Sequence, residues 1–521
     1  MRRSTLQVLL RDIIYAYLFV MLVVSPVYMK DGYNGLGDAK YLIFRWATAL
    51  FAAAAGTVYV LMAVPVRGEN REKKEIGLPD ILMLVYLAVT LVSYLFSWDR
   101  EGELLGENGW HMGLVTQLLM TAVYFAMSGA DPETYTDSRP GKISGIIAAV
   151  SLTAVFAVGI LNRFSVYPFS TGSTDHTFIS TLGNIDWYGG FWSATAPVLI
   201  GVFWTGKDKS PVWKTCFGFS VFVCFLTVIT QGSEGVLLSV AVILLLILLL
   251  SADEEYLMRR AVWIIWLFTA SAAAVRLITL AAPESLNYHG TFVDHLAYGD
   301  TGLVVFAAAT VFTAAVTCMK RLHMRQLRAV RPYAAAAAGA SGVITVILFI
   351  LNSVGSGLYP FDGIEGFRFS SSWGNSRGAI WQAACMAFAS LDPLRKLIGV
   401  GPDGFAGLIY SNSETAQYIY GVFGDVRLTN AHNVMLTLLT DYGIIGTAAC
   451  TGVFAVLIAR AVKLRTEKPI LYISVIMLCS YVSCNVTGFR NTMNAPYAFM
   501  MLGVTACICG RMNRTNEKNT V

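Results

Sequence analysis

Charge is scarce in this chain: of 521 residues, only 14% are Asp, Glu, Lys or Arg, where soluble globular proteins carry about 25%. With 55% hydrophobic residues, that shortage excludes a water-soluble enzyme of ordinary composition. A net charge of +5 is too small to suggest a nucleic-acid partner. No hydrophilic stretch is long enough to fold as a separate soluble domain, except 352–431. Arg2 and Arg3 precede an apolar run, but no short apolar core with an A-x-A-like site follows, so a cleavable signal peptide is not expected. Of the nine cysteines, Cys385 is the one in the 352–431 segment and the other eight lie in or near apolar runs. A disulfide framework is not expected, and the thiols read as small packing residues. There is no internal repeat.

Apolar runs long enough to cross a bilayer as helix recur along the whole chain instead. They fall near 12–29, 41–65, 80–97, 112–128, 143–161, 189–205, 214–231, 235–251, 261–282, 301–318, 334–351, 433–459, 470–486 and 493–510. The expected fold is an all-α integral membrane protein with about fourteen transmembrane helices. Residues 1–351 form a membrane domain of about eleven spans, 352–431 a large extracytoplasmic loop, 432–510 three further spans, and 511–521 a cytoplasmic tail. Ala334 to Ala338 reads as the start of a helix, and 376–391, apolar but too short to span, as an interfacial or re-entrant helix. Orientation follows from the basic residues. With the N-terminus cytoplasmic, the segments 1–11, 66–79, 129–142, 206–214, 252–260, 319–333, 460–469 and 511–521 hold 26 Lys and Arg, against ten in the outer loops. The remaining two are Arg45 and Arg276, inside spans toward their outer ends.

Three outer segments, 98–111, 162–188 and 283–300, are rich in polar and aromatic residues. Five of the six histidines lie on the outer side, at 111, 176, 289, 295 and 432. Water-facing loops are where His sits without any function, and His289, Asp294 and His295 lack the spacing of a metal site. The large loop is more informative. Asn375 or Ser376 is placed to cap a helix beginning near Arg377. A helix start with an Arg fork suits a phosphate, while the plainer alternatives are snorkelling or a pair with Asp362 or Glu365. Gly399, Gly401 and Gly404 permit a tight turn and close backbone approach; without a following Lys-Ser/Thr they read as a structural turn. His432, at the mouth of a predicted span, is either a helix-capping residue or a general base, with Asn433 beside it to orient the ring or an acceptor. Asp441, about 13 Å deeper on that helix, is either functional or a packing lock around Gly443 and Gly446. Arg45, Arg276, Arg377 and Arg490 together could form an electropositive pocket at the outer leaflet.

The order RGAIW from Arg377, GVGPDGF from Gly399 and HNVMLTLLTDYGIIG from His432 resembles the O-antigen ligase and polysaccharide polymerase superfamily. LGNIDWYGGFWSATAP from Leu182 is similar to that family's Gly-Asn-x-Asn segment, and TQGSEGVLLS from Thr230 to its Thr-x-Ser-Arg-Gly turn. The close match covers roughly 368–447. Two positions depart from the pattern: Glu234 stands where relatives have Arg, and Asn184-x-Asp186 where they have Asn-x-Asn. The resemblance implies an inverting glycosyl transfer at the outer membrane face, with no metal and no cofactor. The donor would be a saccharide on a polyprenyl diphosphate, typically undecaprenyl diphosphate, and the acceptor a hydroxyl of a glycan, a lipid-linked glycan or a protein. Arg377 would hold the diphosphate and His432 would be the base. Arg490, Arg276 and Arg45 are further donor-site candidates, although the resemblance singles out neither Arg45 nor Arg276, with Asn433, Asp441, Gly399, Gly401, Trp381, Asn184 and Glu234 in support.

A transporter or flippase for lipid-linked saccharides is the rival reading, and an assembly role without chemistry a third. A transporter is expected to show repeats or mid-membrane chains of charge, whereas the unusual residues here cluster at one edge. The topology is testable with Gln326→Cys and Ser413→Cys, each as the one probed thiol. An impermeant reagent on intact cells is expected to label 413 and spare 326, and the reverse pattern sinks the orientation.

Overall fold

The computed structural model describes residues 3–64, 76–135, 139–173, 175–207, 209–354 and 365–519. Most of the 66–79 segment, residues 355–364 with Asp362, and the last two residues lie outside that set. In chain order the principal helices are α1 (Ser4–Val27), α2 (Leu36–Ala63), α3 (Leu78–Leu95), α4 (Leu114–Ser128), α5 (Gly141–Arg163), α6 (Ile185–Thr205), α7 (Pro211–Gln231), α8 (Glu234–Ser251), α9 (Glu255–Ala281), α10 (Thr301–Cys318), α11 (Met324–Val354), α12 (Trp373–Ser390), α13 (Val434–Leu464), α14 (Pro469–Cys484) and α15 (Ala495–Asn519). Ten of these are long and apolar enough to cross a membrane. Among the described residues the strands are a single antiparallel pair of two residues each, Phe178 opposite Asn184 and Ile179 opposite Gly183. The protein is an all-α, multi-pass membrane protein.

The centre of the bundle is α6 packed on α14 and flanked by α7, α8 and α9. Helix α6 is buried on nearly every face, including Trp192 and Trp204, each of whose indole N–H finds an acceptor, Cys224 O and Ser251 Oγ, both at 2.9 Å. Pro197 sits inside α6 and has no N–H, so the carbonyl of Ser193 loses its helical donor. The Ser480 hydroxyl of α14 donates to that carbonyl at 2.9 Å. A backbone acceptor stranded in an apolar interior costs several kcal/mol, so this bond makes the proline tolerable and pins α14 to α6. Lys40, fully buried, serves the end of α1 the same way, donating to Ser25 O and Pro26 O at 2.8 Å each. At the periphery, α10 and α11 expose Val, Ile and Phe side chains, as helices facing lipid tails do. All nine cysteines are free thiols.

Two expected boundaries move. Helix α11 begins at Met324, ten residues before the poly-alanine run and inside the segment read as the 319–333 loop. Arg325, Arg328 and Arg331 recur every three residues, and the last two are bound: Arg328 Nε donates to Ala252 O at 3.2 Å and Arg331 pairs with Asp253. Helix α15 runs on to Asn519, through most of the segment expected as a tail.

Asp253 ties three connections together. Its carboxylate accepts from Arg465 Nε and Nη2 at 2.6 and 2.8 Å, from Tyr472 Oη at 2.8 Å, and from Arg331. Burial alone would raise its pKa, but the bonds from Arg465, Tyr472 and Arg331 outweigh burial and lower it. A carboxyl with a depressed folded pKa stabilises most above its unfolded pKa, about 4, and loses that contribution as the pH falls through the folded pKa. Asp253→Ala is therefore expected to cost about 2–3 kcal/mol at pH 7, read as a lower melting temperature in detergent, with the gap to the native protein closing under acid.

Candidate functional site

The opposite end of the bundle is organised by a break in α13. Gly443 has φ 62 and ψ −168 inside the helix, a conformation open to glycine and strained for any other residue. The break frees the carbonyls of Thr440 and Asp441. Val400 N and Gly401 N of the GVG turn donate to them at 3.1 Å each, and Ser93 Oγ of α3 adds a bond to Asp441 O at 2.9 Å. The approach is backbone on backbone: a Cβ on Gly399 would collide with Asp441 O, and one on Gly443 with the Leu397 carbonyl. Gly399 and Gly401 thus make the structural turn the sequence favoured, and they make it against a helix kink.

From this turn the next residues reach outward. Asp403 Oδ2 accepts from Glu107 N at 2.8 Å and Met112 N at 3.2 Å, and burial pushes its carboxyl up to about 6. Glu103 lies over Gly401, its Oε2 buried without a partner, and burial raises it to about 8. The 98–112 segment held this way presents Trp110, whose ring meets Phe489 at 4.5 Å and Trp187 at 5.5 Å. Phe489 in turn stands edge-on to His432 at 5.1 Å.

His432 has a left-handed φ of 46 and is held by its own N–H, which donates to Asn430 Oδ1 at 2.9 Å. Its Nδ1 is buried with no partner. Burial lowers its pKa to about 4; the negative charge of Asp186 opposes that shift and the positive charge of Arg377 adds to it. Arg377 opens the regular part of α12. Gly374, Asn375 and Ser376 all carry left-handed backbone angles, so the chain coils the other way just before it. Neither Asn375 nor Ser376 caps the helix, contrary to expectation: both lie in the reversed, left-handed turn before it, and Arg377 Nη1 itself donates to Gly374 O at 3.1 Å. Arg377 Nη2 pairs with Asp186 Oδ2 at 3.2 Å, while its Nε is buried and unpartnered. Arg377 therefore pairs neither with Glu365 nor by snorkelling alone; its partner comes from 191 positions earlier in the chain.

Asp186 is placed by α6. The Asn184 side chain caps that helix, accepting from Asp186 N at 2.8 Å, which fixes the carboxylate at its first turn. Ser233 Oγ donates to Asp186 Oδ1 at 2.9 Å, and Glu234 follows at the start of α8. Arg377, Asp186 and Ser233 thus form a bonded cluster, with His432 within reach of the Arg377 and Asp186 charges and Glu234 next in the chain to Ser233. Trp381, one turn after Arg377, stacks near Trp373 and Phe369 at 5.1 and 6.2 Å and braces α12.

The other expected residues go elsewhere. Asn433 is fully engaged, its Oδ1 capping α13 through Leu436 N and its Nδ2 donating to Val486 O, both at 3.0 Å. It positions the helix rather than the imidazole ring. Arg276 pairs with Asp300 at 2.7 Å, and Arg45 lies over the Tyr41 and Trp46 rings at 5.4 and 5.2 Å. Arg490 lines a separate small pocket with Asp403, Asp441, Asn430 and Trp110, and donates to Tyr86 Oη at 3.3 Å. The four arginines do not form one electropositive pocket. His289 Nδ1 is hydrogen-bonded to Asp294 Oδ1 at 3.0 Å, and among the described residues no group of three His, Cys, Asp or Glu is placed to hold a metal. Asp186 and Ser233 were visible in the sequence as parts of the departing motifs; the signal for them was an acid at a helix start, and its partner could not be read from spacing.

Set against models of known protein families and against curated protein sequences, the chain matches none.

The kink is open to a direct test. Gly443→Ala is expected to destabilise by at least ~2 kcal/mol, from a strained φ and a backbone collision. Gly56→Ala, where a Cβ meets nothing within 4 Å, is expected to be neutral or slightly stabilising in the same melting experiment.

Proposed function

We propose that this protein transfers a saccharide from a polyprenyl diphosphate to an acceptor hydroxyl on the outer face of the cytoplasmic membrane, in the manner of O-antigen ligases and polysaccharide polymerases. The observation that carries the reading is the Arg377–Asp186 pair with the buried His432 within reach of both charges, brought from three distant stretches of chain. In this reading the ten long apolar helices, the shorter α4, α14 and the apolar part of α15, and the buried α6 make fourteen crossings. Both termini are then cytoplasmic, and the 352–431 segment is extracytoplasmic.

The chemistry follows from the side chains. The Arg377 fork holds two oxygens of the diphosphate, taking them in place of, or beside, the Asp186 carboxylate that occupies it here. Neutral His432 accepts the proton of the acceptor hydroxyl. The acceptor oxygen attacks C1 of the donor sugar from the face opposite the diphosphate, so the configuration inverts. The C1–O bond to the diphosphate breaks, and its electron pair leaves with the diphosphate, whose growing charge Arg377 stabilises. The Asp186 charge steadies the imidazolium until the proton passes to solvent. No metal or cofactor enters these steps. The long lipid lies along the apolar helix faces. The acceptor is a glycan, a lipid-linked glycan or a protein.

Single-turnover transfer from a labelled lipid-linked donor in detergent tests this. His432→Ala is expected to slow transfer by ~10²–10⁴-fold while donor affinity survives, because the lost group serves the transition state. Arg377→Lys keeps the charge but not the fork, and both it and Arg377→Ala are expected to weaken donor binding and rate. The base must be neutral to work. With its pKa lowered to about 4, the rate is expected to stay level through neutral pH and to fall only as the pH drops toward that value. Full activity in Arg377→Ala and His432→Ala would remove both residues from the mechanism.

A further inference from the structure

Beside the Asp186–Ser233 bond lies a small, partly open cavity of about 50 Å³, whose lining includes Glu234, Ser233, Tyr288 and Leu237. One wall is the Tyr288 ring, set rigidly: the Arg163 guanidinium, itself fully buried, stacks on it at 4.5 Å. Arg163 is in turn pinned by bonds to the carbonyls of His176 and Gln231. Gly232 has φ +97, and a Cβ there would collide with the Tyr288 ring, so the glycine lets the ring in. The Glu234 carboxylate is exposed at the cavity and has no hydrogen-bond or ion-pair partner among the described residues. An acid in the first turn of α8 is favourable for the helix by itself. That accounts for its charge, not for the aromatic-walled space beside it.

The chemistry of this lining is specific. A free carboxylate repels a diphosphate, so the cavity does not continue the anion site at Arg377. It presents an acceptor pair for hydroxyls, the edge of an aromatic ring with its own hydroxyl, and an apolar floor from Leu237 and Val293. Those are the requirements of a sugar ring, with hydroxyls at its rim and C–H groups on its faces. Ser233 belongs both to this cavity and to the Asp186–Arg377 cluster, so an occupant of the cavity adjoins whatever Arg377 holds.

We propose that this cavity is the subsite for the sugar ring attached to the donor diphosphate, with Glu234 accepting its hydroxyls and Tyr288 forming its wall. The inference rests on the lipid-diphosphate reading given above, and a binding experiment separates the two. The full chain in detergent is titrated with the diphosphate of a short polyprenol, bare and conjugated to a single hexose or N-acetylhexosamine. The native protein is expected to bind both forms, the best conjugate more tightly. Glu234→Ala is expected to weaken that conjugate about tenfold or more, the loss of about 1.4 kcal/mol, while binding of the bare diphosphate is not weakened, since a repelling charge has been removed. Glu234→Gln, which keeps one acceptor oxygen, is expected to lose less. Tyr288→Phe, which leaves the ring against Arg163, keeps the fold if Tyr288→Ala does not, and is expected to weaken the conjugate selectively. Equal losses for both lipids, or none for either, overturn the subsite while leaving the lipid-diphosphate reading intact. A native protein that binds neither lipid overturns that reading and this one with it.

Discussion

A helix that breaks inside a membrane must find donors for the carbonyls it frees, because hydrocarbon supplies none. Helix α13 breaks at Gly443, and the donors come from Val400, Gly401 and Ser93. Much of the site hangs from that capture. The turn at 399–401 is fixed against α13, so Asp403 is fixed; Asp403 holds the backbone at Glu107 and Met112. That holds Trp110 against Phe489, and Phe489 against His432. A glycine-rich turn that looks like a ligand loop in one dimension is, in three, the bolt that sets a distant imidazole.

The charges follow a second logic. Arg377 and Asp186 are each mostly buried, at 14% and 21% side-chain exposure. A pair so placed is weak evidence of stability, since desolvation offsets much of its attraction. The Arg377 Nε and the His432 Nδ1 are both buried and unsatisfied, and each such group calls for an explanation. By contrast Asp253, at the far end of α8, accepts four bonds. One carboxylate is saturated to hold helices together, and the other keeps its neighbours partly free.

Two acids at helix starts, Asp186 and Glu234, fit this picture. Asp186 stands at a position where an amide would leave Arg377 without a counter-ion, and Glu234 puts a second negative charge next to it. Together they make the neighbourhood of Arg377 less positive, and they give the adjoining cavity a polar rim suited to hydroxyls rather than to phosphate.

What the sequence determined by itself was what hydropathy and local conformation decide. Apolar runs set the helices, because a chain in lipid must satisfy its backbone within each segment. The glycines at 399, 401 and 443 marked close approach, and RGAIW and HN marked the candidate residues Arg377 and His432. What only the tertiary structure decided was partnership. That Arg377 meets Asp186 and not Arg490, that Asn433 spends both ends of its amide on the backbone, and that α11 starts ten residues early to reach Asp253 all depend on which helices pack together. Ion pairs and cavities are made between segments hundreds of residues apart, and neither period nor spacing along one chain records the distance across a bundle.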